Sequence, residues 1–371
     1  MNKKVAIVKC DSYKPHEIYQ ALKKALDLIG VGGIEQLRDK DFIIKPNLCL
    51  PAVPDAHLTT HPEVIRQLIK ILMEKNNRVR IGDTSIGYDD TKRSDRVWEE
   101  TGMNGILGEF HIKKVHFQQN IVFNEIEIDG KKFILPVADE ILNSDVINVP
   151  KLKTHSYMLM SGCVKNLYGV LAGDSKKRLH HLAGTKENFA KLLLAINELV
   201  NNKLNVVDAV VGIEGEGPGA KGKIRPIGLI VAGFDAVLVD KVLEQIINLN
   251  GKDVLTNYYA NTDEPIVVGE KIEDVKLKDF KLPVINPKSD RIIEHVIEAK
   301  LHHAYITEEK CKKCGLCYRN CPSDAVCKSF DKYTVLDDKC ISCFVCMEVC
   351  PYGAISIENR KLFNFIKGNE K

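Results

Sequence analysis

The chain has 371 residues, 44% of them hydrophobic and 28% charged, with a net charge of +3 at pH 7. This length predicts two or three domains. The near-neutral charge excludes a global basic field that would recruit nucleic acid, and no stretch approaches the ~20 apolar residues of a membrane span. The N-terminus has no signal-peptide pattern. We therefore expect a cytoplasmic protein without nucleic-acid or membrane partners; the composition does not indicate an oligomeric state.

The first 300 or so residues alternate between short apolar runs and longer segments with helical periodicity. The predicted strands are Val5–Val8, Phe42–Lys45, Val79–Ile81, Val146–Val149, Leu204–Val207 and Ile227–Val231. The predicted helices are His16–Leu28, Pro62–Lys75, Arg93–Thr101, Lys186–Asn201 and Phe234–Asn248. This alternation predicts an α/β domain with a mainly parallel sheet.

Two segments depart from this alternation. Lys113–Leu135 contains Asp129-Gly130 between strand-like runs, which predicts an inserted hairpin. Val275–Asp290 reads as a surface connector, followed by a short helix over Arg291–Leu301. We therefore predict an α/β domain at 1–300, a small α+β module at 301–360 and a C-terminal tail at 361–371.

Nine of the 12 cysteines lie between Cys311 and Cys350. They include two runs with the spacing Cys-x2-Cys-x2-Cys-x3-Cys-Pro, one from Cys311 to Pro322 and one from Cys340 to Pro351. Dense cysteines in a cytosolic chain indicate metal rather than disulfides. The alternative is zinc, but structural zinc sites use separated Cys-x2-Cys pairs. The repeated run is that of bacterial two-cluster proteins, so we predict two [4Fe–4S] clusters.

In such a run the first three cysteines bind one cluster and the fourth binds the other. The first predicted ligand set is Cys311, Cys314, Cys317 and Cys350. The second predicted set is Cys340, Cys343, Cys346 and Cys321. The segment Ile306–Ile357 resembles two-cluster bacterial ferredoxins, and this resemblance implies two short helices after the Cys-Pro turns and two antiparallel strand pairs.

A polar segment from Pro150 to His181 follows a predicted strand, where open α/β sheets bind ligands. Together with Lys45 and Asn47 after another strand, it supplies the candidate ligands of a small anion: Lys45, Asn47, Lys151, Lys153, Lys165, Asn166, Lys177, Arg178 and His180. The alternative is a solvated basic loop.

A glycine-rich segment runs from Asp208 to Gly219 and also follows a strand. It matches neither a dinucleotide-binding fingerprint nor a P-loop. Its Glu214, together with His155, is a candidate catalytic acid or base. The alternative is a tight surface turn.

Several of these motifs resemble the domain-of-unknown-function 362 family. The resemblance rests on Lys45-Pro46-Asn47, Lys151-x-Lys153-x-His155, Gly162-x-x-Lys165-Asn166-x-x-Gly169, Lys177-Arg178-x-His180 and Glu214-Gly215-x-Gly217-Pro218. It covers most of Met1–Leu301 and implies membership of a family often fused to a two-cluster ferredoxin module in anaerobes. It implies no settled catalytic role.

Three functions are compatible with these patterns. The first is an oxidoreductase that relays low-potential electrons between the clusters and an anionic substrate, or a further unknown cofactor, in the large domain. The second is a non-catalytic electron carrier that docks a redox partner protein. The third is a redox-sensing protein of cofactor binding or assembly.

Overall fold

The computed structural model describes residues 2–30, 38–85, 91–173, 175–283, 302–330 and 332–359. The described strands of the large domain are β1 (Lys4–Lys9), β2 (Asp41–Pro46), β3 (Arg78–Gly82), β4 (Lys114–Val115), β5 (Ile121–Ile128), β6 (Lys131–Ala138), β7 (Asp145–Val149), β8 (Lys151–His155), β9 (Leu159–Ser161), β10 (Asn202–Glu214), β11 (Lys223–Gly233) and β12 (Ile266–Gly269). Its described α-helices are α1 (Pro15–Leu28), α2 (Pro62–Met73), α3 (Thr91–Glu100), α4 (Met103–Phe110), α5 (Asp139–Leu142), α6 (Cys163–Asn166), α7 (Ser175–Ala183), α8 (Lys186–Leu199), α9 (Ala236–Ile246), α10 (Leu255–Tyr259) and α11 (Ile272–Val275).

Ten of these strands form one sheet in the order β12-β1-β11-β10-β7-β2-β3-β4, with β8 paired to β10 and β9 paired to β8. The pairs β1–β11, β10–β11 and β8–β9 are antiparallel, and the others are parallel. Neighbouring residues of one strand enter different apolar clusters, as Ile7 and Val8 do, because successive side chains point to opposite faces. The α/β class with a mainly parallel sheet is therefore confirmed.

The predicted helices and strands begin and end within a few residues of the observed ones, except at β10. Only Leu204–Val207 was expected there, but β10 extends to Glu214. Asp208 therefore belongs to a strand rather than to the glycine-rich loop. The predicted helix Arg291–Leu301, the end of the connector after residue 283 and the tail at 361–371 lie outside the described residues.

Strands β5 and β6 pair antiparallel as a separate hairpin. Between these two strands, Asp129 and Gly130 each have a positive φ, a conformation that a two-residue hairpin turn requires. The hairpin packs through Phe133, Leu135 and Val137 into the apolar cluster on one face of the sheet.

The C-terminal module contains β13 (His302–Ile306), β14 (Val326–Ser329), β15 (Lys332–Val335) and β16 (Ile355–Asn359). Strand β13 pairs with β16 and β14 with β15, both antiparallel. Its two α-helices are α12 (Leu316–Asn320) and α13 (Val345–Glu348). The two strand pairs agree with the ferredoxin resemblance. The expected helix positions were wrong: both helices precede the Cys-Pro turns, because a proline cannot continue a helix at its interior.

The C-terminal module packs on the large domain through apolar side chains. Leu316, Cys343, Val345 and Val349 belong to the apolar cluster that also contains residues of α1, α2 and β10. The second cysteine run is therefore partly buried in the large domain. Within the described ranges, no helix is long and apolar enough to cross a lipid bilayer.

Candidate functional site

The segment Lys151–His155 was expected to be a loop, but it is strand β8, and all five of its residues are buried. Lys151 and Lys153 pair with Asp208 and Ile213 of β10, with a shift in register between the two pairs. Because side chains alternate along a strand, Lys151, Lys153 and His155 share one face. The strand thus presents three polar side chains as successive rungs, and each rung has its own partners.

The first rung is a buried ion pair. Lys151 Nζ lies 3.0 Å from Asp208 Oδ2, and both side chains are 0% exposed. Lys151 also donates to Tyr13 Oη at 2.7 Å, and Tyr13 donates to Asp208 Oδ1 at 2.8 Å. The His61 amide donates to Asp208, and the His61 ring stacks on Tyr13 with centroids 3.7 Å apart. Burial lowers the pKa of Lys151, and Asp208 opposes this shift.

The second rung joins Lys153 to the end of β2. Lys153 Nζ donates to Asn47 Oδ1 and to the Leu58 carbonyl, both at 2.8 Å, and lies 3.1 Å from Cys49 Sγ. Asn47 Nδ2 donates to Asn166 Oδ1 at 2.8 Å. Two residues that the sequence placed in one candidate site, Asn47 and Asn166, are therefore in direct contact.

Lys45 forms a second buried ion pair beside this rung. Its Nζ lies 2.6 Å from Asp83 Oδ1, with side chains 1% and 4% exposed. Burial lowers the pKa of Lys45, and Asp83 opposes this shift. A Cβ at Gly169 would lie 2.5 Å from Asp83 Oδ1 and 2.7 Å from Lys45 Nζ. Only glycine therefore fits at position 169 without displacing this pair.

The short helix α6 carries Lys165 and Asn166, and Asp240 holds its first turn. Asp240 accepts hydrogen bonds from the amides of Cys163 and Val164 at 2.6 and 3.0 Å. Burial raises the pKa of Asp240 to about 7, although these two amides oppose the shift.

The third rung is His155, which faces the ferredoxin-like module. Its Nδ1 accepts from the amides of Tyr157 and Met158, each at 3.1 Å. An acceptor nitrogen carries no proton, so the neutral ring carries its proton on Nε2. Burial, together with the charge of Lys165, lowers the pKa of His155 to about 4, although Glu348 opposes the shift. The ring is therefore neutral at pH 7.

Glu348 of α13 meets this rung from the other domain. Its Oε2 lies 3.6 Å from His155 Nε2, and its Oε1 lies 3.9 Å from Lys165 Nζ. Burial alone would raise the pKa of Glu348, but Lys165 and His155 outweigh burial and hold it well below its usual range. The second cysteine run thus places a carboxylate against two of the predicted site residues.

His180 lies behind this contact on helix α7. Its ring centroid lies 4.8 Å from that of Tyr157 and 4.4 Å from that of Phe189. Burial lowers the pKa of His180 to about 3, with Lys165 contributing and Glu348 opposing. Its Nδ1 is buried and has no hydrogen-bond partner among the described residues.

The other two candidates on α7 lie further from the rungs. Lys177 donates to the Arg319 carbonyl at 3.0 Å and lies 3.9 Å from Asp324, so it contacts the C-terminal module. Arg178 is exposed. The structure therefore brings together Lys45, Asn47, Lys153, His155, Lys165, Asn166 and His180. It gives Lys151 and Lys177 other partners and leaves Arg178 exposed.

Glu214 is the last residue of β10, and its contacts are with other residues than those of the three rungs. Its Oε2 accepts from the Lys281 amide at 3.1 Å and lies 4.0 Å from Arg225 Nη1. These contacts join the strand to the connector, and among the described residues no hydrogen bond or ion pair joins Glu214 to His155. The acid–base role proposed for Glu214 from its sequence position thus gains no geometric support.

The glycine-rich loop after Glu214 packs closely against two other elements of the protein. It leads into strand β11 and not into a helix that could bind a phosphate. A Cβ at Gly219 would lie 2.8 Å from the Met347 carbonyl of α13, and one at Gly217 would lie 2.5 Å from the Thr154 carbonyl of β8. Glycine therefore lets this loop fit between β8 and the cysteine-bearing helix.

The cysteines of the first predicted ligand set meet at one cavity. Cys311, Cys314, Cys317 and Cys350 line it, together with Tyr333 and Ile355. Burial, with smaller contributions from the neighbouring Cys321 and Cys340, raises the pKa of the Cys343 thiol to about 12. No three or more His, Cys, Asp or Glu in the described part of the chain are arranged around a single metal ion. The fit to clusters therefore rests on this cavity and on the spacing, and the individual ligand assignments stay predictions.

Five residues that shape the site are absent from the site residues predicted from the sequence: Tyr13, Cys49, Asp83, Asp208 and Glu348. Asp208 had a local signal, because it is an acid between apolar residues of a strand, where a charge requires a partner. Tyr13 and Glu348 had none, because their respective side-chain partners Lys151 and His155 lie 138 or more residues away along the chain.

These features define a class of protein: an iron–sulfur electron-transfer protein with a ferredoxin-type module on an α/β domain. A 4Fe-4S dicluster domain matches residues 304–357, which supports two [4Fe–4S] clusters. The domain of unknown function DUF362 matches residues 43–244, more than half of the chain. The chain therefore belongs to the DUF362 family.

Relatives extend the comparison without assigning a reaction. A thylakoid-associated protein of Synechocystis sp. is 29% identical over 317 residues, a match that covers 82% of this chain and 96% of that protein. A crystal structure of a Thermotoga maritima protein matches with a TM-score of 0.42 at 14% identity, over 64% of this chain and 60% of that one. The lactate racemase apoprotein of Thermoanaerobacterium thermosaccharolyticum matches with a TM-score of 0.42 at 17% identity, over 65% and 57%. The chain spans less than two thirds of both structures, and these scores are too low to establish a shared fold.

Proposed function

We propose that this protein is an iron–sulfur oxidoreductase that exchanges electrons between its two [4Fe–4S] clusters and a small anion bound in the large domain at Lys165 and His155. When bound, such clusters supply one-electron transfer at low potential. The observation that carries the proposal is the position of Glu348. This residue lies two positions from both Cys346 and Cys350 and contacts His155 and Lys165 at 3.6 and 3.9 Å. The predicted cluster ligands and the predicted anion site are therefore neighbours.

The residues around this contact have separate tasks in the proposal. Lys165 is the cation that binds the anion. Its partner Glu348 lies at an ion-pair distance and not at a hydrogen-bond distance, so the ammonium group can still donate to a ligand. His155 holds a proton on Nε2, fixed there by the two amides on Nδ1, and this N–H group can donate a hydrogen bond to an oxygen of the bound anion. Asp240 positions Lys165 by holding the start of α6.

The two predicted cysteine sets differ in exposure, which supports a direction for electron transfer between the two clusters. Cys314 is exposed, whereas Cys343 and Cys346 are buried. Exposed basic residues surround Cys314 in the sequence: Lys310, Lys312, Lys313 and Arg319. We infer that an acidic redox partner docks at Cys314 and that the anion exchanges electrons at the second set, none of whose cysteines is exposed. The cytoplasmic location stays a prediction.

The test is anaerobic purification with iron and sulfide analysis, EPR spectroscopy and mass spectrometry of any small molecule that co-purifies. The reduced protein is then screened for reoxidation by anionic metabolites. We expect Lys165→Met to slow reoxidation at least 10-fold without changing iron content, and Lys23→Met, on the exposed side of α1, to match the wild type. Two zincs and no iron would refute the proposal, as would reoxidation that Lys165→Met leaves unchanged.

One observation favours the electron-carrier alternative. Lys45 and Lys151 are neutralised by buried aspartates of the same chain, so part of the basic character is structural. In a carrier, no small anion would accelerate reoxidation of the reduced protein, whereas an acidic carrier protein would do so in a salt-dependent way.

A further inference from the structure

We propose that Glu348 is an internal stand-in for the ligand: the site between Lys165, His155 and His180 takes a small carboxylate, which displaces the Glu348 carboxylate when it binds. This inference rests on the proposed function and adds to it the chemical class of the ligand and the group with which the ligand competes.

The first observation is that Glu348 faces its two partners without bonding to them. The separations of 3.6 Å to His155 Nε2 and 3.9 Å to Lys165 Nζ exceed hydrogen-bond distance. His155 Nε2 is buried, carries the ring proton and has no hydrogen-bond partner among the described residues. Buried donors in proteins are almost always bonded. This N–H group is therefore aimed at a carboxylate that does not satisfy it.

The second observation is independent and concerns His180. Its side chain is buried, and its Nδ1 also has no hydrogen-bond partner among the described residues. The ring lies close enough to Lys165 and Glu348 for the charges of both to act on it, the first lowering its pKa and the second opposing the shift. Two buried imidazoles with unbonded nitrogens thus lie around the same carboxylate and the same ammonium group.

The arrangement of the donors indicates the chemical class. One oxygen of Glu348 faces an ammonium group and the other faces a neutral N–H group. Two oxygens on one carbon match this pair, and a small carboxylate that sits about an ångström closer would make both hydrogen bonds. A phosphate or sulfate would bring a further charged oxygen, whereas the two donors that face Glu348 match the two oxygens of a carboxylate.

The position of Glu348 links the ligand to the cysteine-bearing helix. Glu348 is the last residue of α13, and Met347 before it packs on Gly219. A ligand that takes the place of the Glu348 carboxylate must move this side chain or the end of α13. Ligand binding and the position of the second cysteine run on the large domain are therefore coupled.

The test is isothermal titration calorimetry of the anaerobic holoprotein with sodium acetate, disodium succinate and sodium phosphate at constant ionic strength. The principal variant is Glu348→Gln, which removes the charge and keeps the shape. Glu309→Gln, an exposed glutamate of the same module, is the matched control. If Glu348 occupies the site about nine tenths of the time, we expect Glu348→Gln to bind acetate or succinate about 10-fold more tightly than the wild type.

We expect Glu309→Gln to match the wild type and Lys165→Met in the Glu348→Gln background to abolish binding. Equal affinity in Glu348→Gln and the wild type, with weakened binding in Lys165→Met, would refute the stand-in role and leave the anion site intact. Tighter binding of phosphate than of either carboxylate would refute the ligand class. Absence of binding in every variant would refute the anion site of the proposed function itself. If Glu348→Gln fails to fold, Glu348→Asp retracts the carboxylate by one methylene, and its affinity must then exceed that of the wild type.

Discussion

Replacing Lys151 by methionine would separate a structural role of this lysine from a ligand-binding role. Lys151 is 0% exposed and pairs at 3.0 Å with Asp208, which is also 0% exposed. In Lys151→Met, Asp208 keeps the Tyr13 hydroxyl and the His61 amide as donors but loses its only cation among the contacts described for it. Breaking one side of a buried pair costs about 3–5 kcal/mol, because a charge is left uncompensated.

The loss would be measured as a melting temperature by circular dichroism on the holoprotein. At about 2–4 °C per kcal/mol for a domain of this size, a loss of about 4 kcal/mol lowers the melting temperature by roughly 8–16 °C. Lys151→Met with Asp208→Asn removes both charges, and we expect it to recover most of the loss. Lys23→Met, which is exposed on α1, should leave the melting temperature unchanged.

The opposite pattern would refute this reasoning. If Lys151→Met keeps the wild-type melting temperature but weakens anion binding, then Lys151 is a ligand-binding residue, as the sequence predicted. The double variant would then show no recovery, because there would be no stability loss to reverse.

Three further predictions follow from buried groups and close contacts. In His180→Phe, we expect the stability difference between pH 7.5 and 5.5 to be about 1 kcal/mol smaller than in the wild type. The unfolded histidine gains its proton near pH 6.5, but the folded one stays neutral down to a pKa of about 3. His180 therefore adds a loss of stability to the wild type over this range that the variant lacks. Gly219→Ala places a Cβ 2.8 Å from the Met347 carbonyl, and we expect faster proteolysis at the module boundary. In Cys350→Ala and Cys321→Ala, we expect loss of about four irons each, but of different clusters, because each fourth cysteine belongs to the opposite set.

Matched variants decide each of these outcomes. His16→Phe, an exposed histidine, should keep the wild-type pH dependence, and equal slopes in His180→Phe and the wild type would contradict the assignment of a neutral His180. Gly251→Ala meets nothing within 4 Å and should not change proteolysis. Adding Cys311→Ala to Cys350→Ala should remove no further iron; loss of all iron in that double variant would contradict the shared ligand sets.

Much of the fold followed from periodicity and turn chemistry. Val64, Leu68, Ile69 and Leu72 recur at helical spacing behind Pro62, and the helix begins at this proline. The cysteine runs identified the C-terminal module because their spacing is a chemical requirement of the cluster. Helical periodicity and cysteine spacing depend only on residues that are close together in the chain. One sequence is therefore enough to recognise them.

The site was less predictable, because its partners are distant in sequence. The alternation Lys151-Leu-Lys-Thr-His155 reads as a polar loop until Asp208, Asn47 and Glu348 supply its partners. A buried lysine is indistinguishable from a solvated one without knowledge of the facing residue. For the same reason, the sequence grouped Lys151 with Lys165, whereas the structure gives the two lysines different partners.

The burial of β8 has a consequence for how this sequence can change over time. Because the face that a side chain occupies depends on odd or even position, one inserted or deleted residue between Pro150 and Ser156 would exchange the two faces. Leu152 and Thr154 would then point at Asp208 and Asn47, and the charged side chains would enter the apolar side. Point substitutions alter one rung at a time, but a change of length alters every rung at once. Related chains should therefore vary in residue type along this strand while keeping its length constant.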